Sequence, residues 1–126
     1  KTGQLECVNA GHPPAMLIRA DGEVRTLQCA ENFPMGIQND LMTCQNESME
    51  PGEMLVMFTD GLSDLTDSAG QRLGTEAFKD QLKELYKSHN ALPAAEIGSK
   101  LTETLDSLEG SQMAQDDRTF LLARRR

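Results

Sequence analysis

Three carboxylates stand where apolar runs meet polar sequence. Asp60 closes the run Met54-Leu55-Val56-Met57-Phe58-Thr59 and is followed by Gly61, while Asp116-Asp117 directly precede the run Arg118 to Ala123. Adjacent like charges repel, so two carboxylates at a strand entrance call for a cation or a cap. If the two runs are antiparallel neighbours, the exit of one and the entrance of the other share a sheet edge, and Asp60 and Asp116 converge within reach of one ion. Parallel strands would place them at opposite edges, roughly five residues apart at about 3.3 Å each. Asp oxygens with no nearby His or Cys form a hard donor set, suited to Mg²⁺ or Mn²⁺ rather than zinc or copper. Such ions bind phosphoryl oxygens and generate hydroxide from water, so the chemistry indicated is phosphoryl hydrolysis. The alternative is that Asp60-Gly61 is a plain turn pair and that Asp116 or Asp117 caps a turn in water.

Rival motifs are weaker. Asp60, Asp64, Asp67 and Gly70 resemble a calcium loop in composition only, because such a loop needs acids at positions 1, 3 and 5 with Gly at 6. His12 and His89 are far apart, with no Ser or Cys nucleophile motif near either. His12 in "NAGHPP" reads as a loop-forming hydrogen-bond partner rather than a catalytic base. His89, near a helix end, favours the helix dipole.

The elements that must position these acids fall into two halves. The first half reads as strands. Leu5, Cys7 and Asn9 alternate before a stop at Gly11-His12-Pro13-Pro14, and Asp21-Gly22 joins Met16–Arg19 to Glu23–Leu27 as a hairpin. "ENFPMGI" reads as a loop, "LMTCQNESME" as an edge strand, and Pro51-Gly52 as the turn into Glu53–Thr59. The run Met54 to Phe58 is continuous, as in a strand covered on both faces. The second half reads as two helices and a last strand. Phe78, Leu82, Leu85 and Tyr86 share one face, with Thr75 as N-cap. Ile97, Leu101, Leu105 and Leu108 repeat the pattern, with Pro93 suited to the first turn and Gly110 to the stop. Gly98 inside that helix costs about 1 kcal/mol relative to Ala and suggests close packing. The fold class expected is α+β, with helices covering one face of a sheet.

Composition narrows the function classes. Of 126 residues, 38% are hydrophobic and 25% charged, which describes one globular domain. With 4% aromatics, no Trp and seven Met, the core is expected to be aliphatic with Met as filler. A net charge of −8, with Arg124-Arg125-Arg126 the one basic cluster, argues against nucleic acid as a partner. Cys7, Cys29 and Cys44 lack C-x-x-C spacing and read as buried, unpaired thiols in a reducing compartment. No apolar run is long enough to span a membrane, so a cytoplasmic domain is expected, in a parent protein that could be membrane-tethered.

Four segments in order carry a family resemblance: "NAGHPPAML" (Asn9 to Leu17), "FPMGI" (Phe33 to Ile37), "PGEMLVMFTDGLSDLTDSAGQRLG" (Pro51 to Gly74) and "DDRTFLL" (Asp116 to Leu122). Together they closely resemble the bacterial SpoIIE-like branch of the metal-dependent, PPM-type serine/threonine protein phosphatases. The resemblance implies an α-β-β-α sandwich with antiparallel sheets flanked by helices and a binuclear Mn²⁺ or Mg²⁺ centre. It implies direct attack of a metal-activated water on a phosphoserine or phosphothreonine. By motif, the Asp of "TDG" falls on Asp60 and the metal-binding Asp of "DD-x-T" on Asp116, with Asp117 beside the ion or as a further ligand. The substrates it implies are phosphorylated anti-sigma-factor antagonists, small acidic STAS-type proteins.

The sequence departs from that pattern in two places. Asn32 stands where many relatives have Gly. The N-terminal half, with its own Asp-Gly and Gly-His-Gly ligand motifs, has no counterpart here, so residues 1–126 are expected to be the C-terminal part of a PPM-type domain. Such a chain is expected to bind metal weakly alone and, with a sheet edge lacking partners, to form a homodimer or swapped oligomer. Two rivals remain: a catalytically silent regulatory module on the same scaffold, and a generic α+β domain whose acids are turn residues.

Overall fold

The computed structural model describes residues 2–28, 31–37, 44–66, 70–108 and 117–126. Within them the chain forms β1 (Gln4–Cys7), β2 (Asn9–Ala10), β3 (Met16–Ile18), β4 (Val24–Thr26), β5 (Glu31–Asn32), β6 (Gln45–Ser48), β7 (Met54–Phe58), α1 (Asp60–Ser63), α2 (Gly74–His89), α3 (Ala94–Leu108) and β8 (Phe120–Arg124). The main sheet has the order β4-β3-β7-β8 and is antiparallel throughout. β1 pairs with β6 as an antiparallel ribbon, and β2 pairs with β5 in a short parallel match. The α+β class and the antiparallel sheets expected from the sequence are therefore present.

Helices cover one face of the main sheet. Met54, Val56 and Phe58 of β7, with Met16 and Ile18 of β3, share a core with Phe78, Leu82, Leu85 and Tyr86 of α2 and Ile97, Leu101 and Leu105 of α3. The rings of Phe58 and Phe78 lie 4.8 Å apart and tilted, a pairing that contributes about 0.5–1.5 kcal/mol beyond area burial. Tyr86 keeps its polar end satisfied by donating to Gly52 O at 2.7 Å. The opposite face is only partly covered: the β1–β6 ribbon closes over Leu17, Leu27 and Met49, with Leu55 at its margin. Met57 remains 38% exposed. β7 is thus sealed on its helix side and half-sealed on the other, rather than covered on both faces.

The hairpin at Asp21-Gly22 forms as its sequence predicts. Asp21 Oδ1 accepts from Glu23 N at 2.9 Å, and Gly22 takes φ +87°, which favours glycine. Several boundaries differ from expectation. The alternation Leu5–Cys7–Asn9 is divided between two sheets. The loop "ENFPMGI" begins with β5, and Asp60-Gly61, for which a plain turn pair is the alternative reading, opens the short helix α1. α2 starts at Gly74, with Leu73 at its N-cap and no side-chain cap bond, so Thr75 does not cap it. The expected stop at Gly110 lies outside the described residues. Met16, Met49 and Met54 are core residues, whereas Met35 is 77% exposed. Cys7 is disulfide-bonded while Cys44 is free and exposed. That pairing corrects the expectation of unpaired thiols and removes the cysteine argument for a reducing compartment.

Candidate metal edge

The β7–β8 ladder runs from Met54↔Arg124 to Phe58↔Phe120. Because the pair is antiparallel, the exit of β7 and the entrance of β8 lie at one edge, as the sequence argument requires. The contact continues past the last ladder pair. Thr59 N donates to Thr119 O at 2.9 Å, and Thr119 N donates to Thr59 Oγ1 at 3.0 Å. The Thr59 hydroxyl has two carbonyls in reach, Asp117 O at 3.1 Å and Thr119 O at 3.4 Å. Residue 59 therefore ties the backbone beside Asp60 to the backbone of Asp117.

Asp60 begins α1, and the turn beneath it is firmly built. Gly61, Leu62 and Ser63 are buried, and Leu62 and Leu65 join the helix-side core. Asp60 O accepts from Asp64 N at 2.8 Å and from Ser63 Oγ at 3.0 Å, and Asp60 Oδ1 accepts from Gly61 N at 3.1 Å. The carboxylate is exposed, so one oxygen is engaged locally while the group faces solvent. Asp117 is exposed as well. Arg118, next in the chain, donates to Asp106 Oδ1 of α3 at 3.2 Å and anchors the entrance of β8 to that helix. Asp64 pairs with Arg72.

Asp60 and Asp117 are thus brought to the same edge, and Asp116 lies outside the described residues. Among the described residues no group of three or more His, Cys, Asp or Glu stands ready to hold a metal ion. What is present fits Mn²⁺ or Mg²⁺ in kind: exposed carboxylates on a rigid strand end, in a donor set of oxygens. These ions take few protein carboxylates and fill the remaining positions with water and substrate.

Beside this edge lies a largely apolar hollow of about 300 Å³, whose lining includes Asn9, His12, Met57, Thr59, Thr119 and Leu121. No motif in the sequence gives Thr59 a role, and His12 reads there as a loop residue only. The signal for Thr59 was its place between the apolar run and the acid.

The family model for stage II sporulation protein E (SpoIIE) matches residues 1–126, the whole chain. The chain belongs to the SpoIIE family. Phosphoserine phosphatase RsbP of Bacillus subtilis (strain 168) is 31% identical over 121 residues, covering 94% of this chain and 27% of RsbP. Among solved structures, the RsbU and RsbW domains of Rv1364c from Mycobacterium tuberculosis match 98% of this chain at 25% identity with a TM-score of 0.78, over 33% of that chain. The PP2C phosphatase domain with a regulatory fragment of SpoIIE from Bacillus subtilis matches 98% at a TM-score of 0.77 and 22% identity, over 34% of that chain. This SpoIIE-family chain therefore has the fold of part of a PP2C-type domain, and it spans about a third or less of the length of these relatives.

Proposed function

We propose that the protein carrying this chain hydrolyses the phosphoester of a phosphoserine or phosphothreonine in a regulatory phosphoprotein, with Mn²⁺ or Mg²⁺ held by Asp60 and Asp116 and with Asp117 beside the ion or ligating it. The observation that carries this reading is the Thr59–Asp117 tie at the antiparallel end of β7 and β8, in a chain of the SpoIIE family. A bound ion of this class polarises a phosphoryl oxygen and acidifies water. The chain's own part is positional: the buried β7 fixes where Asp60 stands, and Thr59 fixes Asp117 relative to it. The substrate class proposed is an acidic STAS-type anti-sigma-factor antagonist, consistent with a relative named as a phosphoserine phosphatase.

Asp60 Oδ1 accepts from Gly61 N, as an acid that only shapes a turn would do. That contact favours a second reading, a catalytically silent interaction module on the same scaffold. One assay separates them. Mn²⁺-dependent phosphate release from a phosphoserine protein is measured for residues 1–126 and for the full-length protein, each with and without Asp60→Asn. Release by the full-length wild type and its loss in Asp60→Asn is the expected result. A folded full-length protein that releases no phosphate would overturn the phosphatase reading in favour of the silent module.

A further inference from the structure

His12 is held with more care than a solvated loop residue requires. Asn9 Nδ2 donates to His12 O at 2.8 Å, and His12 N donates to Asn9 Oδ1 at 2.9 Å, so one side chain clamps both backbone groups of residue 12. Asn32 Nδ2 donates to Asn9 O at 3.0 Å and supports the clamp from β5. Gly11 sits at φ +83° under the Pro34 ring, where a Cβ would come within 2.7 Å of Pro34 Cγ. The imidazole itself is oriented: Nδ1 lies 3.0 Å from Pro13 O. A carbonyl only accepts, so Nδ1 carries the proton in that contact and Nε2 is the nitrogen left for another partner.

The ring borders the same hollow as Thr59 and Thr119, the two residues that tie the metal edge together. Cys7 also lines it but is disulfide-bonded, which leaves His12 as the one side chain in that lining with ring nitrogens that can donate to an anion. The rest of the lining is mostly apolar, including Val8, Ala10, Met57 and Leu121. His12 is exposed at this hollow, so its ring is open to an anion arriving from solvent.

We propose that His12 is a phosphoryl-binding residue. Its ring, protonated on both nitrogens, donates from Nε2 to an oxygen of a phosphoserine or phosphothreonine phosphoryl group at the Thr59 end of the hollow, while Nδ1–H stays on Pro13 O. His12 forms no bond to phosphorus and orients the group for attack. The inference rests on the phosphatase reading above and adds to it a substrate-binding residue outside the carboxylates.

His12→Asn is a clean test because the Asn9 clamp uses only the backbone of residue 12. In the full-length protein without metal, the His12 ring resonances, assigned by their loss in His12→Asn, are followed by NMR during titration with inorganic phosphate and, at matched ionic strength, with chloride. They are expected to move with phosphate and not with chloride. With Mn²⁺ and a phosphoserine peptide, His12→Asn is expected to raise KM by about ten- to a hundredfold, the range of a charge-assisted hydrogen bond, and to change kcat far less. A ring that does not respond to phosphate, or a KM equal to that of an active wild type, overturns the proposal. A wild type with no phosphate release refutes the phosphatase reading instead, and the metal-free titration then decides His12 alone.

Discussion

Thr59 and Thr119 exchange backbone and side-chain hydrogen bonds one residue beyond the last rung of the β7–β8 ladder, at 2.9 and 3.0 Å. The Thr59 hydroxyl makes no cap bond to α1. Its partners belong to the opposite strand, so its role is to register the two acidic segments against each other. Thr59→Val keeps the side-chain shape and removes the hydroxyl, leaving Thr119 N and Asp117 O without it. The expected cost is about 1–2 kcal/mol in urea denaturation. In the full-length protein the Mn²⁺ concentration for half-maximal phosphate release should rise several-fold, with Thr59→Ser close to wild type. A Val variant that loses stability while its Mn²⁺ dependence stays unchanged would show that the tie does not serve the metal edge.

Asp60 and Asp117 differ in how they meet that edge. Asp60 follows a strand whose Met54 and Val56 are fully buried, whereas Asp117 is tied to that strand end through its backbone carbonyl. Both side chains are exposed, so Asp60→Asn and Asp117→Asn should each stay within about 0.5 kcal/mol of wild-type stability. Loss of a group that only supports a metal ligand typically costs about 10–100-fold. On the proposal that Asp60 ligates the ion directly, Asp60→Asn should lower phosphate release by more than about 100-fold, and Asp117→Asn by less. Steady-state assays across a Mn²⁺ series check both, and equal losses would assign Asp117 as a ligand of the same rank.

The shared edge of the β7 exit and the β8 entrance is legible in the sequence because two apolar runs with acids at one end each bring those ends together only if the strands are antiparallel. The helix faces were legible for a similar reason: Phe78, Leu82, Leu85 and Tyr86 recur at helical spacing, and all four are buried. Other features depend on contacts that periodicity does not encode. The alternation from Leu5 to Asn9 gives no sign that Asn9 pairs with Glu31 in a different sheet. Thr75 has the right chemistry for an N-cap, yet the cap falls two residues earlier, at Leu73, whose N donates to Leu65 O at 2.7 Å. The disulfide at Cys7 had no spacing signal, since the bond depends on proximity in space. The partial cover of β7 escaped the sequence because a continuous apolar run does not say what packs on its second face.

The far end of β7 offers a control for effects that are merely structural. Glu53 is 4% exposed, accepts from Arg19 Nη1 at 3.1 and 2.9 Å, and accepts from Glu50 N at 2.7 Å. Glu53→Gln leaves the guanidinium of Arg19 without its counter-charge. Breaking a buried pair costs about 3–5 kcal/mol. The Arg19 side chain is 26% exposed, so water screens part of the loss and about 2–3 kcal/mol is expected. Chemical denaturation measures the loss, and a Mn²⁺ titration of the same variant should match wild type. A shifted Mn²⁺ dependence would mean that strain at Glu53 reaches Asp60 along the strand.

Gly98 is the position where sequence and packing give opposite expectations. As a glycine inside α3 it suggests a backbone approach too close for any side chain. A Cβ built there meets Phe120 Cε2 at 3.6 Å and Leu122 Cδ1 at 3.7 Å, which is ordinary van der Waals contact and leaves room for a methyl group. The added methyl would fill the space between α3 and β8. It would also remove the conformational freedom that makes glycine costly in a helix by about 0.8–1.0 kcal/mol relative to Ala. Gly98→Ala should therefore stabilise the chain by up to about 1 kcal/mol, read as a higher urea midpoint at unchanged m-value. Gly98→Leu has no such room and should destabilise by about 1–3 kcal/mol through overpacking against Phe120 and Leu122. A destabilised Ala variant would show that α3 must approach β8 more closely in solution than these contacts require.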